Sequence, residues 1–274
     1  MPSIRVRALK TLEEFRACER IQLAVWGNLA VGSELMSVTA KYGGAVVGAL
    51  AGDKVVGFIY AFLAHRQGRL IHWSHMMAVE PRYRDRRIGF RMKLVHRRLA
   101  LEIGVKSICW TYDPLQSRNA NLNIHRLGGT VDEYIPNCYG RFPSRIEKGL
   151  PSDRFVVDWR IATPAVARRL ETKRTRQPRL ASLPSANETR TNPRGLLENA
   201  SLRLKLKAPR IAVRIPENTD AMRARDMALA ERWRLETRRI FTTYFARGYR
   251  VLDFVASEGS SGRDVYYVLS RTRP

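Results

Sequence analysis

Apolar runs and helical repeats alternate over the first 163 residues of the chain. Gly52-Asp53 splits one long apolar run and predicts a hairpin turn. Thr11 with Glu14 three residues later is a capping-box pattern, which predicts a helix start. The pattern predicts strands at 4–9, 43–65 (as a hairpin), 70–79, 107–113, 130–135 and 154–162, and helices at 11–27, 88–103 and 117–129.

The helix predicted over 88–103 carries large apolar residues at helical spacing. The stripe that these residues form is predicted to face the core. Strands that alternate with helices in this way indicate an α/β protein. The stripe consists of Phe90, Leu94, Leu99 and Ile103.

The rest of the chain divides into two parts of different composition. Residues 164–209 are basic and rich in Pro, Ser, Thr and Asn, which predicts a linker or arm after a short helix at its start. Residues 210–274 regain order: a strand, a long helix from Thr219 to about Gly248, and two strands form a predicted β-α-β-β unit. We therefore expect a domain over 1–163, the arm over 164–209, and over 210–274 a C-terminal unit that packs on the core or on a dimer partner.

Composition excludes several classes of protein. With 45 % hydrophobic residues the chain can bury a core, yet no run approaches the roughly 18 apolar residues of a membrane span. The N-terminus lacks the apolar core of a signal peptide. The three cysteines are an odd number without a CxxC pair, which argues against a disulfide framework or a zinc site and suits the cytoplasm.

The net charge of +24 favours polyanionic ligands, although it also fits an arginine-rich proteome. Locally, five arginines surround one glycine in AVEPRYRDRRIGFRMKL, residues 78–94. Where a strand is followed directly by a helix, the first turn of the helix leaves several backbone amides unpaired, and the helix dipole adds positive charge there. Such a junction binds phosphate, and arginines strengthen the binding. The segment Arg84 to Gly89 is therefore predicted to hold a diphosphate.

The pattern Val79-x-Pro81-x-Tyr83-Arg84-x-x-x-Ile88-Gly89 resembles the acyl-CoA signature of the GCN5-related N-acetyltransferases (GNAT). The resemblance implies a mixed, mostly antiparallel sheet flanked by helices, and a branch of predicted acetyltransferases with a long C-terminal extension. It implies that Met77, Ala78 and Val79 pair with pantetheine, and that the loop amides hold the pyrophosphate of coenzyme A. The loop positions so implied are Arg84, Asp85, Arg86, Arg87, Ile88, Gly89 and Phe90. Arg87 stands where the family has its first glycine, so donor binding is expected to survive if its backbone angles are ordinary.

Acyl transfer from a thioester to an amine needs a group that takes a proton from the ammonium. His75 matches the strand position from which some members of the family supply a base. The alternative is a histidine packed between strands, and Glu34 or an ordered water is the next candidate. His72 is three residues away, so the two rings are expected on opposite faces of the sheet.

The family's usual acid, a tyrosine, is absent, because Ile124 occupies its position. Tyr139 is the preferred substitute, with His125 and Tyr112 as alternatives, and a core role is its alternative interpretation. Cys138 beside it is disfavoured as a nucleophile, because no His or acid is near it in sequence.

Three further residues are candidates for ligand contacts. Asn119 matches a family asparagine that holds the cofactor, or it simply caps a helix. Trp110 and Asp113 are candidates for the acceptor pocket, since family sheets open near this strand. For Trp110 an ordinary core position is the favoured alternative.

Two classes of function follow. The leading one is an N-acyltransferase that uses acetyl-CoA or another acyl-CoA, needs no metal and acts on a small amine, such as an amino acid, as a cytoplasmic homodimer. The other is a basic, nucleic-acid-associated protein with an acyltransferase-like fold. It is not favoured, because the sequence lacks an RNA-binding signature, a helix-turn-helix and stacking aromatics among its basic residues.

Overall fold

The structure is a computed structural model that describes residues 3–27, 30–140, 149–172, 180–259 and 262–271. The chain forms two compact units. The first runs to Trp110 and includes Arg160–Thr163, and the second contains residues from Thr111 onward, with Gly149–Trp159 and the chain from Pro164. The main division between the units follows Trp110, and the short segment Arg160–Thr163 returns to the first unit. The divisions predicted from the sequence fall after residues 163 and 209.

The first unit is an antiparallel sheet with one parallel strand. Strands β1 to β4 pair in chain order, and β5 joins β4 in parallel at His72–Ile108 and Trp73–Cys109. Helix α2 was not predicted. The elements are β1 (Ile4–Ala8), α1 (Leu12–Trp26), α2 (Ser33–Lys41), β2 (Ala45–Ala51), β3 (Lys54–Arg66), β4 (Arg69–Val79), α3 (Ile88–Glu102) and β5 (Ile108–Tyr112), whose last two residues belong to the second unit.

Local signals fix the ends of several elements as predicted. The Thr11 side chain accepts from the Glu14 amide, and the Glu14 carboxylate accepts from the Thr11 amide, which confirms the capping box. Gly52, with a φ of 62°, turns the chain between β2 and β3. These contacts lie within a few residues of each other, so the sequence reveals them.

Helices cover both faces of the first sheet. On one face α1 and α2 pack through Phe15, Cys18 and Met36 against Phe58 and Tyr60. On the other face α3 packs against β2 and β3. The fully buried positions of α3 are Ile88, Met92, Lys93, His96 and Ala100.

The prediction of which face of α3 is buried is therefore wrong. Ile103 is 48 % exposed and Phe90 is only partly buried, whereas Lys93 and His96 are 2 % and 0 % exposed. The apolar residues of this helix form two overlapping stripes, and the contact with β2 and β3 selects the one that contains Lys93 and His96. Burial of an ionisable group is costly unless it has a partner, so these residues have contacts that sequence hydropathy does not show.

The second unit contains its own antiparallel strands in the order β7-β6-β11-β12-β10, and a separate hairpin of β8 and β9. The elements are α4 (Ser117–Ala120), a π-helical turn (Asn121–Arg126), β6 (Thr130–Ile135), β7 (Arg154–Trp159), α5 (Pro164–Glu171), β8 (Asn187–Thr191), β9 (Leu197–Leu202), β10 (Arg210–Ile215), α6 (Thr219–Arg225), α7 (Met227–Ala246), β11 (Arg250–Gly259) and β12 (Gly262–Ser270).

Two features of this unit differ from the prediction. The segment predicted as an arm starts with α5, the short helix expected there, but it also contains the β8–β9 hairpin, which was not predicted. The single long helix predicted from Thr219 is two helices, because Asp226 leaves the helical conformation and its side chain accepts from the Leu229 amide as the N-cap of α7.

The apolar face of α7 is buried inside its own unit. Trp233, Ile240 and Tyr244 are fully buried. Phe241 stacks on Tyr134 of β6, with ring centroids 6.2 Å apart. The helix therefore needs no second copy of the chain to cover it, and the predicted homodimer stays a prediction.

The predicted class, a mixed α/β fold with mostly antiparallel strands flanked by helices, is confirmed. Within the described ranges, none of the helices is both long and apolar enough to cross a bilayer.

Candidate functional site

The anion site predicted from the sequence lies at the junction between β4 and α3. After Val79 the chain makes one 3₁₀ turn, Pro81–Tyr83, and enters the loop that precedes Ile88. Two non-glycine residues in this loop, Asp85 and Arg87, have left-handed φ values of 63° and 56°. The φ of Arg87 is therefore not one of the ordinary values on which the sequence prediction was conditioned, but lies in the left-handed region that glycine adopts most readily. An arginine holds this conformation at a cost of about 1–2 kcal/mol.

The first turn of α3 leaves amides available to a ligand. The first hydrogen bond within the helix runs from the Arg91 amide to the Arg87 carbonyl, at 3.1 Å. The amides of Ile88, Gly89 and Phe90 precede it and so have no acceptor within the helix. The helix has neither a side-chain cap nor an acidic residue in its first turn. The positive end of the helix dipole is therefore available to an anion.

The arginines of the loop add to this positive charge. The side chains of Arg84, Arg86 and Arg87 are exposed. Arg84 also donates through Nε to the carbonyl of Val79, at 3.1 Å, and so ties the loop to the end of β4. Asp85 is the one acidic residue between them. With three arginines against one aspartate, the loop carries a net positive charge, which favours a ligand with more than one negative charge.

One edge of β4 is open for pairing. Along its whole length β4 pairs with β3, but its pairs with β5 stop at Trp73. From Ser74 to Val79, no described residue of the first unit pairs with the other edge of β4. Met77, Ala78 and Val79, predicted to contact pantetheine, lie on this edge directly before the loop. An extended, amide-bearing ligand can pair with such an edge.

His75 lies at an irregularity of β4. Tyr60 pairs with Met76 and Ala61 pairs with Ser74, so His75 is an extra residue, a β-bulge. Its exposed ring lies beside Tyr60 and Phe62, with centroids 6.3 and 5.9 Å away. Desolvation by this surrounding protein lowers the pKa of His75, an effect that its exposure limits. The ring is therefore neutral near pH 7 and can accept a proton.

His72 faces the other way, as predicted. Its Nδ1 lies 3.0 Å from Nε2 of His96 on α3, and its Nε2 lies 2.8 Å from the Gly43 carbonyl. Because a carbonyl can only accept, His72 donates from Nε2 and accepts at Nδ1. His96 then donates from Nε2. Both rings are neutral, since burial lowers the pKa of each.

The predicted acid, Tyr139, lies in the second unit. Its ring is 44 % exposed, and its hydroxyl lies 2.9 Å from Oγ1 of Thr111. Ile124, at the position of the family's acid, is fully buried and apolar. The predicted role of Tyr139 therefore depends on an exposed hydroxyl at a turn, and it stays a prediction.

The two alternative acids are engaged elsewhere. The hydroxyl of Tyr112 lies 3.2 Å from that of Tyr267, and burial raises the pKa of Tyr112. His125 lies 3.3 Å from a carboxylate oxygen of Asp253. Cys138, the disfavoured nucleophile, is half-buried beside Tyr139.

The three residues predicted to contact the acceptor or the cofactor have different surroundings in the structure. Asp113 is held by Arg234, which donates to both carboxylate oxygens at 2.6 Å, so an amine would have to compete with a guanidinium. Asn119 is exposed in the third position of α4, and Gln116 is the N-cap, so Asn119 does not cap this helix. Trp110 is 5 % exposed, as the core interpretation predicted.

Sequence reasoning missed the polar residues under Trp110. The ammonium of Lys93 lies 3.6 Å from the centre of the Trp110 ring and donates to Oγ of Ser74 at 3.1 Å. The only available signal was a lysine and a histidine three residues apart in an otherwise amphipathic helix, which is common on solvated faces.

Part of the chain is similar to solved acetyltransferase structures. A chain of the NatC complex bound to Gag peptide and CoA is 17 % identical, with a TM-score of 0.47 over 58 % of this chain and 99 % of its own. The ribosomal-protein-S18-alanine N-acetyltransferase from Escherichia coli is 12 % identical, with 0.47 over 59 % and 96 %. The acetyltransferase of the GNAT family from Streptococcus pneumoniae is 14 % identical, with 0.46 over 57 % and 98 %. No protein-family model matches the sequence, and no curated protein matches it.

Proposed function

We propose that this protein is an N-acyltransferase that moves an acyl group from coenzyme A to a small amine, such as an amino acid. One observation carries the proposal: the open edge of β4 leads directly into the uncapped, arginine-rich start of α3. An acyl-CoA has the matching chemistry in the same order, an amide-bearing arm followed by a diphosphate. Residues 74–90 thus offer complementary groups along one continuous stretch.

Each group of the stretch has a separate task in binding. The amides of Ile88, Gly89 and Phe90 would hold the diphosphate, and Arg84, Arg86 and Arg87 would neutralise it. Met77, Ala78 and Val79 would offer backbone amides and carbonyls to the arm. Asn119 stays a further predicted contact to the cofactor.

The chemistry requires two proton transfers. His75, neutral and exposed on the bulge of β4, would accept the proton that the attacking ammonium loses, directly or through a water. Tyr139 is the proton donor to the leaving sulfur predicted from the sequence. Trp110 and Asp113 stay the predicted acceptor contacts, although the structure buries the first and pairs the second with Arg234.

Calorimetry with coenzyme A tests the donor site. We expect binding to the wild-type protein, and a ligand at about 100 times its Kd should add about 2.7 kcal/mol of stability. Gly89→Glu should abolish binding, because its carboxylate would face the diphosphate. Gly89→Ala is the matched control: it adds a side chain without charge at a position where the family pattern accepts alanine, so binding should persist.

Two outcomes would count against the donor site. Absence of both binding heat and a melting shift at millimolar coenzyme A would refute the acyltransferase function. Equal binding by Gly89→Glu and Gly89→Ala would show that the donor lies elsewhere.

We also propose that the enzyme acts in the cytoplasm as a homodimer. The sequence has three cysteines, an odd number without a CxxC pair, which suits a reducing compartment. Sedimentation equilibrium measures the state of association directly, and a monomer at micromolar concentration would rule out the dimer.

A further inference from the structure

A buried lysine marks the point where β4 and β5 stop pairing. The last pair of β4 with β5 is Trp73 with Cys109, so the next pair in register would be Ser74 with Trp110. These are the two residues that Lys93 contacts: its ammonium donates to Oγ of Ser74 and lies over the Trp110 ring. The charge of Lys93 thus sits where the open edge of β4 begins.

The side chain of Ser74 can accept a hydrogen bond from Lys93 and donate its own hydroxyl proton to another group. Its Oγ accepts from Lys93, and Lys93 is its one hydrogen-bond partner among the described residues. The hydroxyl proton of Ser74 is therefore available to an acceptor at the strand edge. Both side chains are almost fully buried, at 5 % exposure for Ser74 and 2 % for Lys93.

Near neutral pH, the side chain of Lys93 exchanges between its charged and uncharged forms. Burial lowers the pKa of Lys93 to about 7, so the amine can both hold and release a proton at physiological pH. The titratable groups beside it are His96, on the same helix, and His72 on β4, which contacts His96. Both histidines are neutral, and β5 presents the Trp110 ring. Among the residues that the structure describes, desolvation by burial is therefore the cause of the lowered pKa, and no carboxylate holds the ammonium in its charged form.

We propose that Ser74 protonates the sulfur that leaves during acyl transfer, and that Lys93 resupplies the proton. The proposal rests on the acyltransferase function and adds a donor besides Tyr139. Ser74 is the catalytic residue in this relay, and Lys93 is a positioning residue that acts through it.

The proton transfers balance. As the amine nitrogen bonds to the acyl carbon, the carbon–sulfur bond breaks and its electron pair stays on sulfur. Ser74 gives its hydroxyl proton to that sulfur, and Lys93 gives an ammonium proton to Oγ of Ser74. Lys93 is left as a neutral amine and regains a proton from water. The proton lost by the attacking ammonium goes to His75.

The thiol of bound coenzyme A gives a readout that does not depend on turnover. Ultraviolet absorbance of the thiolate, followed against pH, measures the pKa of that thiol in the complex. With an ammonium acting through Ser74, this pKa should be lower in the wild type than in Lys93→Met or Ser74→Ala. Lys106→Met is the matched control: it removes an exposed lysine just before β5 and should leave the thiol unchanged.

Kinetics supply the second readout. Ser74→Ala should lower kcat by about 10² or more, the range of general-acid help, with little change in the KM for acyl-CoA. Lys93→Met should remove the decline of kcat as pH rises through the pKa of Lys93. Tyr139→Phe should keep that decline.

The outcomes separate the two proposals. If coenzyme A binds no variant, including the wild type, the acyltransferase function itself fails. If it binds all of them with the same thiol pKa, the relay alone is overturned. The relay is also overturned if Tyr139→Phe, rather than Ser74→Ala, loses turnover. Ser74→Ala keeps the test decisive should Lys93→Met fail to fold.

Discussion

At the scale of single residues, the two histidines of β4 have different surroundings, so we expect them to have different roles. His75 is exposed on a bulge, whereas His72 is 1 % exposed and hydrogen-bonded to His96 and Gly43. Nδ1 of His96 has no partner in the described part of the chain. A spacing of three residues was enough to predict opposite faces, because side chains alternate along a strand.

We expect His75→Ala to slow turnover by about 10² to 10⁴ while the affinity for coenzyme A is nearly unchanged, because His75 would act as a base and the donor contacts are largely backbone amides. The acidic limb of the pH–rate profile should disappear, since protonation of His75 causes it. Turnover of both histidine variants from pH 5.5 to 9 checks this. Full activity with the same acidic limb would place the base elsewhere, with Glu34 or an ordered water next.

His72→Ala is the control for that experiment. It should cost about 1–3 kcal/mol of stability, because it breaks buried hydrogen bonds, and should leave the pH–rate profile unchanged. The folded-state pKa values of His72 and His96 lie below the unfolded value of about 6.5. Below that pH the unfolded chain binds more protons, so wild-type stability should fall as pH drops below about 6.5. His72→Ala should weaken this dependence.

At the scale of elements, the loop between β4 and α3 depends on its backbone conformation. Arg87 adopts the left-handed angles of a glycine, and the helix that follows begins without a side-chain cap. The sequence showed that a glycine of the family pattern was missing. It could not show that Arg87 adopts a positive φ, because a single arginine is compatible with several conformations.

We predict that Arg87→Gly still binds coenzyme A, with a Kd raised no more than about tenfold because one of three neutralising arginines is lost, and that it does not lower stability. Glycine relieves a left-handed strain of about 1–2 kcal/mol but adds entropy to the unfolded chain, so the two effects largely cancel. Calorimetry and chemical denaturation check the two parts. A large loss of affinity would show that the charge of Arg87, rather than the loop conformation, holds the donor.

At the scale of the whole molecule, the C-terminal residues complete a unit that begins at Thr111. Two arginines of α7 form bidentate ion pairs with carboxylates of the earlier chain: Arg234 with Asp113 and Arg238 with Asp153. Asp153 is fully buried and also accepts from the Tyr134 hydroxyl at 2.6 Å. The C-terminal region is therefore part of the core of this unit.

Arg238→Ala should accordingly destabilise the protein by about 3–5 kcal/mol, because it leaves a buried carboxylate without its cation. Arg232→Ala, on the same helix but in an exposed pair with Glu198, is the matched control and should have little effect. Urea denaturation of both variants measures the difference.

Deletion of residues 210–274 should prevent folding of the second unit, and a soluble, fully active deletion variant would contradict its integral role.

The sequence by itself determined the elements whose signals are local. The capping box at Thr11, the Gly52 turn and the apolar strands could be predicted because each depends on neighbouring residues. The junction at Arg84 to Gly89 could also be located, since a strand that ends before a basic helix start is a linear pattern. Only the tertiary structure decided which face of α3 is buried, where β4 and β5 separate, and that Lys93 meets Ser74 and Trp110 there. Those contacts join residues far apart in the chain, and packing against the sheet fixes them, so the hydropathy of a lysine gives no sign of them.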